Sequence, residues 1–173
     1  YGFFKKSIFK KIGNFNEKLE RAQDYELNSR IISSGGKIIL NPEIKGTYYS
    51  MNLSDHLKKI FFLDAPYNAY MWKLNPKSFS MRHSITLFFI SGIFGGIILS
   101  PLSYYINIVF LSVLGLYFLL AFLASISSVF KTSNIFLLLI LPVCFFTYHF
   151  LHGLGILVGI TKILLKKSPL DDK

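Results

Sequence analysis

The chain has 173 residues, a formal net charge of +10 and a mean hydropathy of +0.47. A single soluble domain is excluded, because only Lys131 and Lys162 carry formal charge from His83 to Leu165. The single cysteine, Cys144, excludes a disulfide framework. The positive charge lies beside the apolar half, where it suits anionic lipid headgroups, and no nucleic-acid motif accompanies it, so we expect no nucleic-acid partner.

Residues 1–53 alternate short helical and extended patterns, which predicts an α/β portion. The predicted elements are a strand at Tyr1–Phe4, a helix from about Ser7 to Ile12 that stops at Gly13, and strands at Lys37–Leu40 and Ile44–Tyr49 around an Asn41–Pro42 turn. The opening Tyr-Gly-Phe-Phe resembles the middle of a domain. We therefore expect either the C-terminal part of a longer protein or a deliberately trimmed chain.

The stretch Arg21–Arg30 is predicted to begin a helix that runs to about Ser34 and stops at Gly35-Gly36. Asp24 and Glu26 fall in its first turn, where exposed backbone amides and the helix dipole favour an ionised carboxylate. An ionised carboxylate on a rigid element can act as a general base. The pattern alone more often describes a solvated helix start with a structural aspartate, because acidic residues are common in first turns.

Residues 54–82 form a predicted helical linker. Apolar residues recur near helical spacing from Ser54 to about Leu74, and Pro66 should kink or divide the helix. Tyrosines, Trp72 and flanking lysines suit a helix that lies in the membrane interface. The same pattern fits a surface helix of the soluble part.

Residues 83–165 form the predicted transmembrane region, with about three helices, and residues 166–173 form a polar tail. The expected spans cover about 83–100, 104–124 and 135–155, the last perhaps reaching 165, with a loop at 127–134. The basic N-terminal part is expected in the cytoplasm. Three crossings would then put the C-terminal lysines outside. Either the last apolar stretch lies along the membrane, or the preference of positive charge for the cytoplasmic side does not hold for these lysines.

Glycines in the first expected span and histidines in the third interrupt the apolar sequence. Gly92 and Gly96 form a GxxxG match, which is a weak helix-packing signal. His149 and His152 lie one turn apart, a spacing that invites a metal or proton-relay interpretation. No carboxylate accompanies them in the span, so packing or hydrogen bonding is the favoured interpretation.

Three motifs together resemble those of family 2 glycosyltransferases. Residues 4–17 (FKKSIFKKIGNFNE) are similar to a stretch of that family, and residues 21–42 (RAQDYELNSRIISSGGKIILNP) resemble its acceptor-side motif. The final span resembles that of the membrane-bound, succinoglycan-biosynthesis type in its spacing of one histidine and three glycines: His149, Gly153, Gly155 and Gly159.

The resemblance implies the C-terminal part of a GT-A, Rossmann-like domain, followed by transmembrane helices. It implies that a sugar moves from a nucleotide-sugar donor to an acceptor, with Asp24 as the catalytic base. Gln23 replaces the first acid of the family's acidic pair, and Glu26 and Arg30 match supporting positions. The family's Mg²⁺ or Mn²⁺ site lies in the donor half, which we expect to be absent from this chain and required for activity.

The partners implied are therefore a nucleotide sugar, a lipid-linked or glycan acceptor in cell-surface polysaccharide synthesis, and the plasma membrane. The alternative is a non-catalytic membrane assembly partner, or a remnant of such an enzyme. A transporter is the weakest alternative, because no span carries an acidic residue.

Overall fold

The computed structural model describes residues 2–19, 21–79 and 81–167. Its helices are α1 (Lys6–Ile12), α2 (Gln23–Ser33), α3 (Leu53–Lys59), a π-helix (Ile60–Asp64), α4 (Ala65–Leu74), α5 (Met81–Leu99), α6 (Tyr104–Thr132) and α7 (Leu137–Leu164). Single 3₁₀ turns lie at Pro76–Ser78 and Ser100–Leu102. Two compact units result: residues up to Ser84 together with those from Gly155 onward, and Ile85–Leu154.

The predicted α/β fold is wrong, because the described residues contain helices and no strand. The segments expected as strands at 37–40 and 44–49 are irregular and exposed, with Leu40 at 91% and Tyr49 at 89% exposure. Two isolated strands without a buried face cannot hold a sheet in water. The first expected strand is irregular at 2–4, and Tyr1 lies outside the described residues.

The two soluble helices that the sequence predicted are confirmed. α1 begins one residue earlier than expected and ends at Ile12, and it is followed by Gly13, whose φ of 82° suits glycine. α2 starts after Ala22, which has a left-handed φ of 59°. It ends before Gly35, with a φ of 80°, and the N–H of Gly36 bonds to the carbonyl of Ile31 at 2.9 Å.

The linker helix is the centre of the first unit. Tyr67 and Met71 of α4 are fully buried with Leu19, which precedes α2. The helix is divided near Pro66 as predicted: a π-helix that ends at Asp64 separates α3 from α4, and Pro66 lies in the first turn of α4, so the proline coincides with a change of helix type in a continuous helical backbone. The α4 part of the linker is therefore largely covered by protein, whereas α3 is largely exposed.

The end of α7 belongs to the same unit and approaches the linker closely. A Cβ on Gly155 would lie 2.7 Å from the Phe61 carbonyl oxygen and 2.7 Å from the Ala65 Cβ. A Cβ on Gly159 would lie 2.8 Å from the Cα of Pro66. Real Cβ atoms do not approach so closely, so these glycines permit the contact between the two helices.

The second unit contains most of three long apolar helices. Ser84–Leu102, Tyr104–Thr132 and Leu137–Leu164 are each long and apolar enough to cross a membrane by length and composition. The expected loop at 127–134 is wrong, because α6 continues to Thr132 before the chain turns at Ser133. Most apolar side chains of these helices are exposed, as in helices that face lipid. The chain is thus a membrane protein.

Candidate functional site

Asp24 lies in the first turn of α2 with its side chain exposed. One carboxylate oxygen accepts a hydrogen bond from the backbone N–H of Tyr25 at 2.9 Å. No other described group bonds to it, so its second oxygen is open to solvent or to a ligand. Gln23, beside it, is also exposed and donates from its amide to the Leu19 carbonyl.

Glu26 and Arg30 lie together on the inner side of α2. The Arg30 guanidinium donates to both carboxylate oxygens, at 2.7 Å from Nε to Oε1 and 2.8 Å from Nη2 to Oε2. It also donates to the carbonyls of Ile12 and Asn14, which end α1 and begin the next turn. Glu26 is 6% exposed, so this pair fastens α2 to α1 from the interior.

The four predicted site residues therefore divide into two pairs. Gln23 and Asp24 face outward, whereas Glu26 and Arg30 bond to each other and to the backbone. No group of three histidine, cysteine or carboxylate side chains that could hold a metal ion occurs in the described part of the chain. The resemblance assigns its Mg²⁺ or Mn²⁺ to the donor half and not to these residues, and Asp171 and Asp172 of the tail lie outside the described part of the chain.

A groove of about 420 Å³ in the first unit was missed by sequence reasoning. We call it the basic groove, and it is lined by Arg21, Met51, Asp55, Lys58, Lys59, Phe62 and Leu63. The sequence revealed only some of the residues that line the groove. Lys58 and Lys59 were visible as charges on a helix near the membrane, but Arg21 comes from the turn before α2 and reaches them only through the fold.

The two histidines of α7 each hydrogen bond to a hydroxyl within the second unit. The Thr86 Oγ1 and His152 Nδ1 lie 2.7 Å apart, and the Tyr117 Oη and His149 Nδ1 lie 2.9 Å apart. The next residue, Gly153, faces the Thr86 carbonyl and Ile90. These contacts favour helix packing over metal ligation as the role of the histidines.

Of the two glycines in the GxxxG match, only Gly96 lies close to another described helix in the second unit. Gly96 faces the ring of Phe110 in α6, while Gly92 has open space around it. The helices α5 and α6 leave an apolar cavity of about 370 Å³ there. Gly96 thus allows a close contact between α5 and α6, and Gly92 lines the cavity between them.

Comparison with known proteins adds no relative: no protein-family description, no curated protein and no solved structure matches this chain.

Proposed function

We propose that this chain is the membrane-bound, acceptor-side part of a glycosyltransferase that moves a sugar from a nucleotide-sugar donor to a lipid-linked acceptor in cell-surface polysaccharide synthesis. The observation that carries the proposal is Asp24. Its carboxylate is exposed at the start of α2, while the next turn of that helix is fixed to the end of α1 by Arg30, which donates to the carbonyls of Ile12 and Asn14. An accessible carboxylate on a fixed element meets the geometric requirement for a general base.

The chemistry follows from that placement. Asp24 takes the proton of an acceptor hydroxyl, the hydroxyl oxygen attacks the anomeric carbon, and the bond from that carbon to the nucleotide diphosphate breaks. A lipid-linked acceptor suits a proposed base in a chain with three helices that are long and apolar enough to cross a membrane. The donor site, with any metal, belongs to residues or a partner outside this chain.

We place the protein in the plasma membrane with the first unit in the cytoplasm. Support comes from the lysines and arginines that precede α5. Positive charge beside a span favours the cytoplasmic side. Nucleotide sugars are then available to the same side as Asp24.

The test is Asp24→Asn in membranes that contain the natural protein with whatever partners it has. Transfer from radiolabelled nucleotide sugars should fall about a hundredfold or more at an unchanged protein level. Glu43→Gln is the matched control, because Glu43 is also an exposed carboxylate and lies in an irregular segment. Unchanged transfer by Asp24→Asn would refute the assignment of Asp24.

A second candidate is a non-catalytic assembly partner of a membrane enzyme. The observation that favours it is the wholly helical secondary structure of the described residues. In this case Asp24→Asn would leave transfer unchanged, while deletion of the protein would lower the activity or the amount of its partner.

A further inference from the structure

The basic groove contains positive charges that the rest of the described structure leaves uncompensated. Arg21 and Lys58 form no ion pair with any described residue. Lys59 is near a carboxylate, but its Nζ lies 3.6 Å from the Asp64 oxygen, which is long for a charged hydrogen bond. The groove is therefore suited to an anion.

The acidic residue of the groove is already engaged. The carboxylate of Asp55 accepts a hydrogen bond from the side-chain amide of Asn52 at 2.7 Å, and its backbone N–H returns one to Asn52 at 2.8 Å. This reciprocal cap fixes the start of α3. Asp55 keeps its negative charge, so the groove lining carries three cations, Arg21, Lys58 and Lys59, against this one carboxylate.

Apolar side chains border the same groove. Phe62 is 65% exposed and Met51 is 40% exposed, although both are large and apolar. Cations beside exposed apolar side chains are typical of protein surfaces that bind the boundary between lipid headgroups and acyl chains. A soluble anion would use the charges and gain nothing from these apolar side chains.

The groove also lies close to the end of α7, which is long and apolar enough to cross a membrane. Phe61 and Ala65, next to the groove residues in sequence, pack on Gly155 in the last ten residues of α7. The 28 residues of α7 extend about 42 Å at about 1.5 Å per residue, which exceeds a hydrocarbon core of about 30 Å. Lys166 and Lys167 follow shortly after α7, and lysines just beyond the end of an apolar helix are typical of the headgroup level.

We propose that the basic groove binds the phosphate-bearing headgroup of an anionic phospholipid. Arg21 and Lys58 bind the phosphate, and Phe62 and Met51 contact the upper part of the acyl chains. Bound lipid holds the first unit on the membrane surface. This site is separate from the proposed base, Asp24, and the proposal stands whether or not the chain transfers sugar.

The test uses the whole chain, purified in detergent and observed by native mass spectrometry with equal concentrations of phosphatidylglycerol and phosphatidylcholine. The wild type should retain phosphatidylglycerol in preference to phosphatidylcholine. Arg21→Gln with Lys58→Gln should lower that retention about twenty-five-fold, since each cation near a lipid surface contributes about fivefold. Lys5→Gln with Lys10→Gln is the matched control, because it removes the same charge from exposed positions outside the groove.

Equal losses in the groove variant and the control variant would overturn the proposal, as would no loss in either. A competition with glycerol phosphate identifies the source of the phosphate. If the soluble compound displaced phosphatidylglycerol at a similar concentration, the groove would be a site for a free anion and the proposal would be wrong. Phe62→Ser should weaken lipid retention and leave glycerol phosphate binding unchanged.

Discussion

The Glu26 carboxylate holds the Arg30 guanidinium at Nε–Oε1 and Nη2–Oε2 distances of 2.7 and 2.8 Å, and Arg30 in turn joins α2 to the end of α1 by donating to the carbonyls of Ile12 and Asn14. The Arg30 side chain is 26% exposed and that of Glu26 is 8% exposed. The two residues were expected to support a catalytic site. Their geometry gives them a structural task that does not depend on any ligand.

Glu26→Gln should destabilise the contact between α1 and α2. The substitution leaves a partly buried guanidinium without its carboxylate, which costs about 2 kcal/mol. Backbone amides of α1 and α2 should then exchange hydrogen about thirtyfold faster, since 1.4 kcal/mol corresponds to about tenfold. Hydrogen-exchange mass spectrometry of the purified chain measures this. Glu43→Gln is the control, and equal exchange in both variants would contradict the structural role of the pair.

Gly159→Val should destabilise the first unit. Any Cβ at this position would lie 2.8 Å from Pro66, and overpacking of this kind costs about 1–3 kcal/mol. The apparent Tm in detergent should fall by about 5 °C, at about 2–4 °C for each kcal/mol. Gly115→Val is the matched control in α6, because no atom lies within 4 Å of a Cβ there. A larger fall for the control would refute the close packing at Gly159.

Thr86→Val should weaken helix packing in the second unit without changing any response to chelators. The variant loses the 2.7 Å hydrogen bond to His152, and such bonds in membranes contribute about 1 kcal/mol. Its Tm should fall by about 3 °C. Excess EDTA should leave the wild-type Tm unchanged. A fall in Tm with EDTA that added zinc reverses would instead support a metal at the histidines.

Lys5 and Lys167 should lie on the same side of the membrane. Residues 61–69, which precede the first candidate span, pack on Gly155 and Gly159 near the end of the last one. Three complete crossings would put these segments on opposite sides, so the contact requires that the three apolar helices do not all cross completely. This is the outcome that leaves the C-terminal lysines consistent with the charge rule.

Single-cysteine labelling tests this topology. Lys5→Cys and Lys167→Cys are made separately in a Cys144→Ala background, which has no other cysteine. A membrane-impermeant maleimide is added to sealed vesicles before and after permeabilisation. Both cysteines should react under the same condition, and labelling under opposite conditions would support three complete crossings.

Local patterns in the sequence determined the helices of this protein. Glycines at 13 and 35 set the ends of α1 and α2, because only a residue without Cβ takes a positive φ cheaply. Pro66 marked the break in the linker, and hydropathy over about 20 residues located three apolar helices. These signals lie within one or a few turns of the chain, so the sequence contains them, although the polar residues at 127–134 wrongly predicted a loop where α6 continues to Thr132.

Tertiary structure decided everything that depends on a distant partner. The extended pattern at 37–49 had no second sheet layer to bury it, so the predicted strands did not form. The spacing placed Glu26 and Arg30 on one helix, but only packing against the end of α1 gave them a common role. Arg21 joined Lys58 in a groove for the same reason: contacts between residues far apart in sequence depend on which faces are buried together, and local periodicity does not specify that choice.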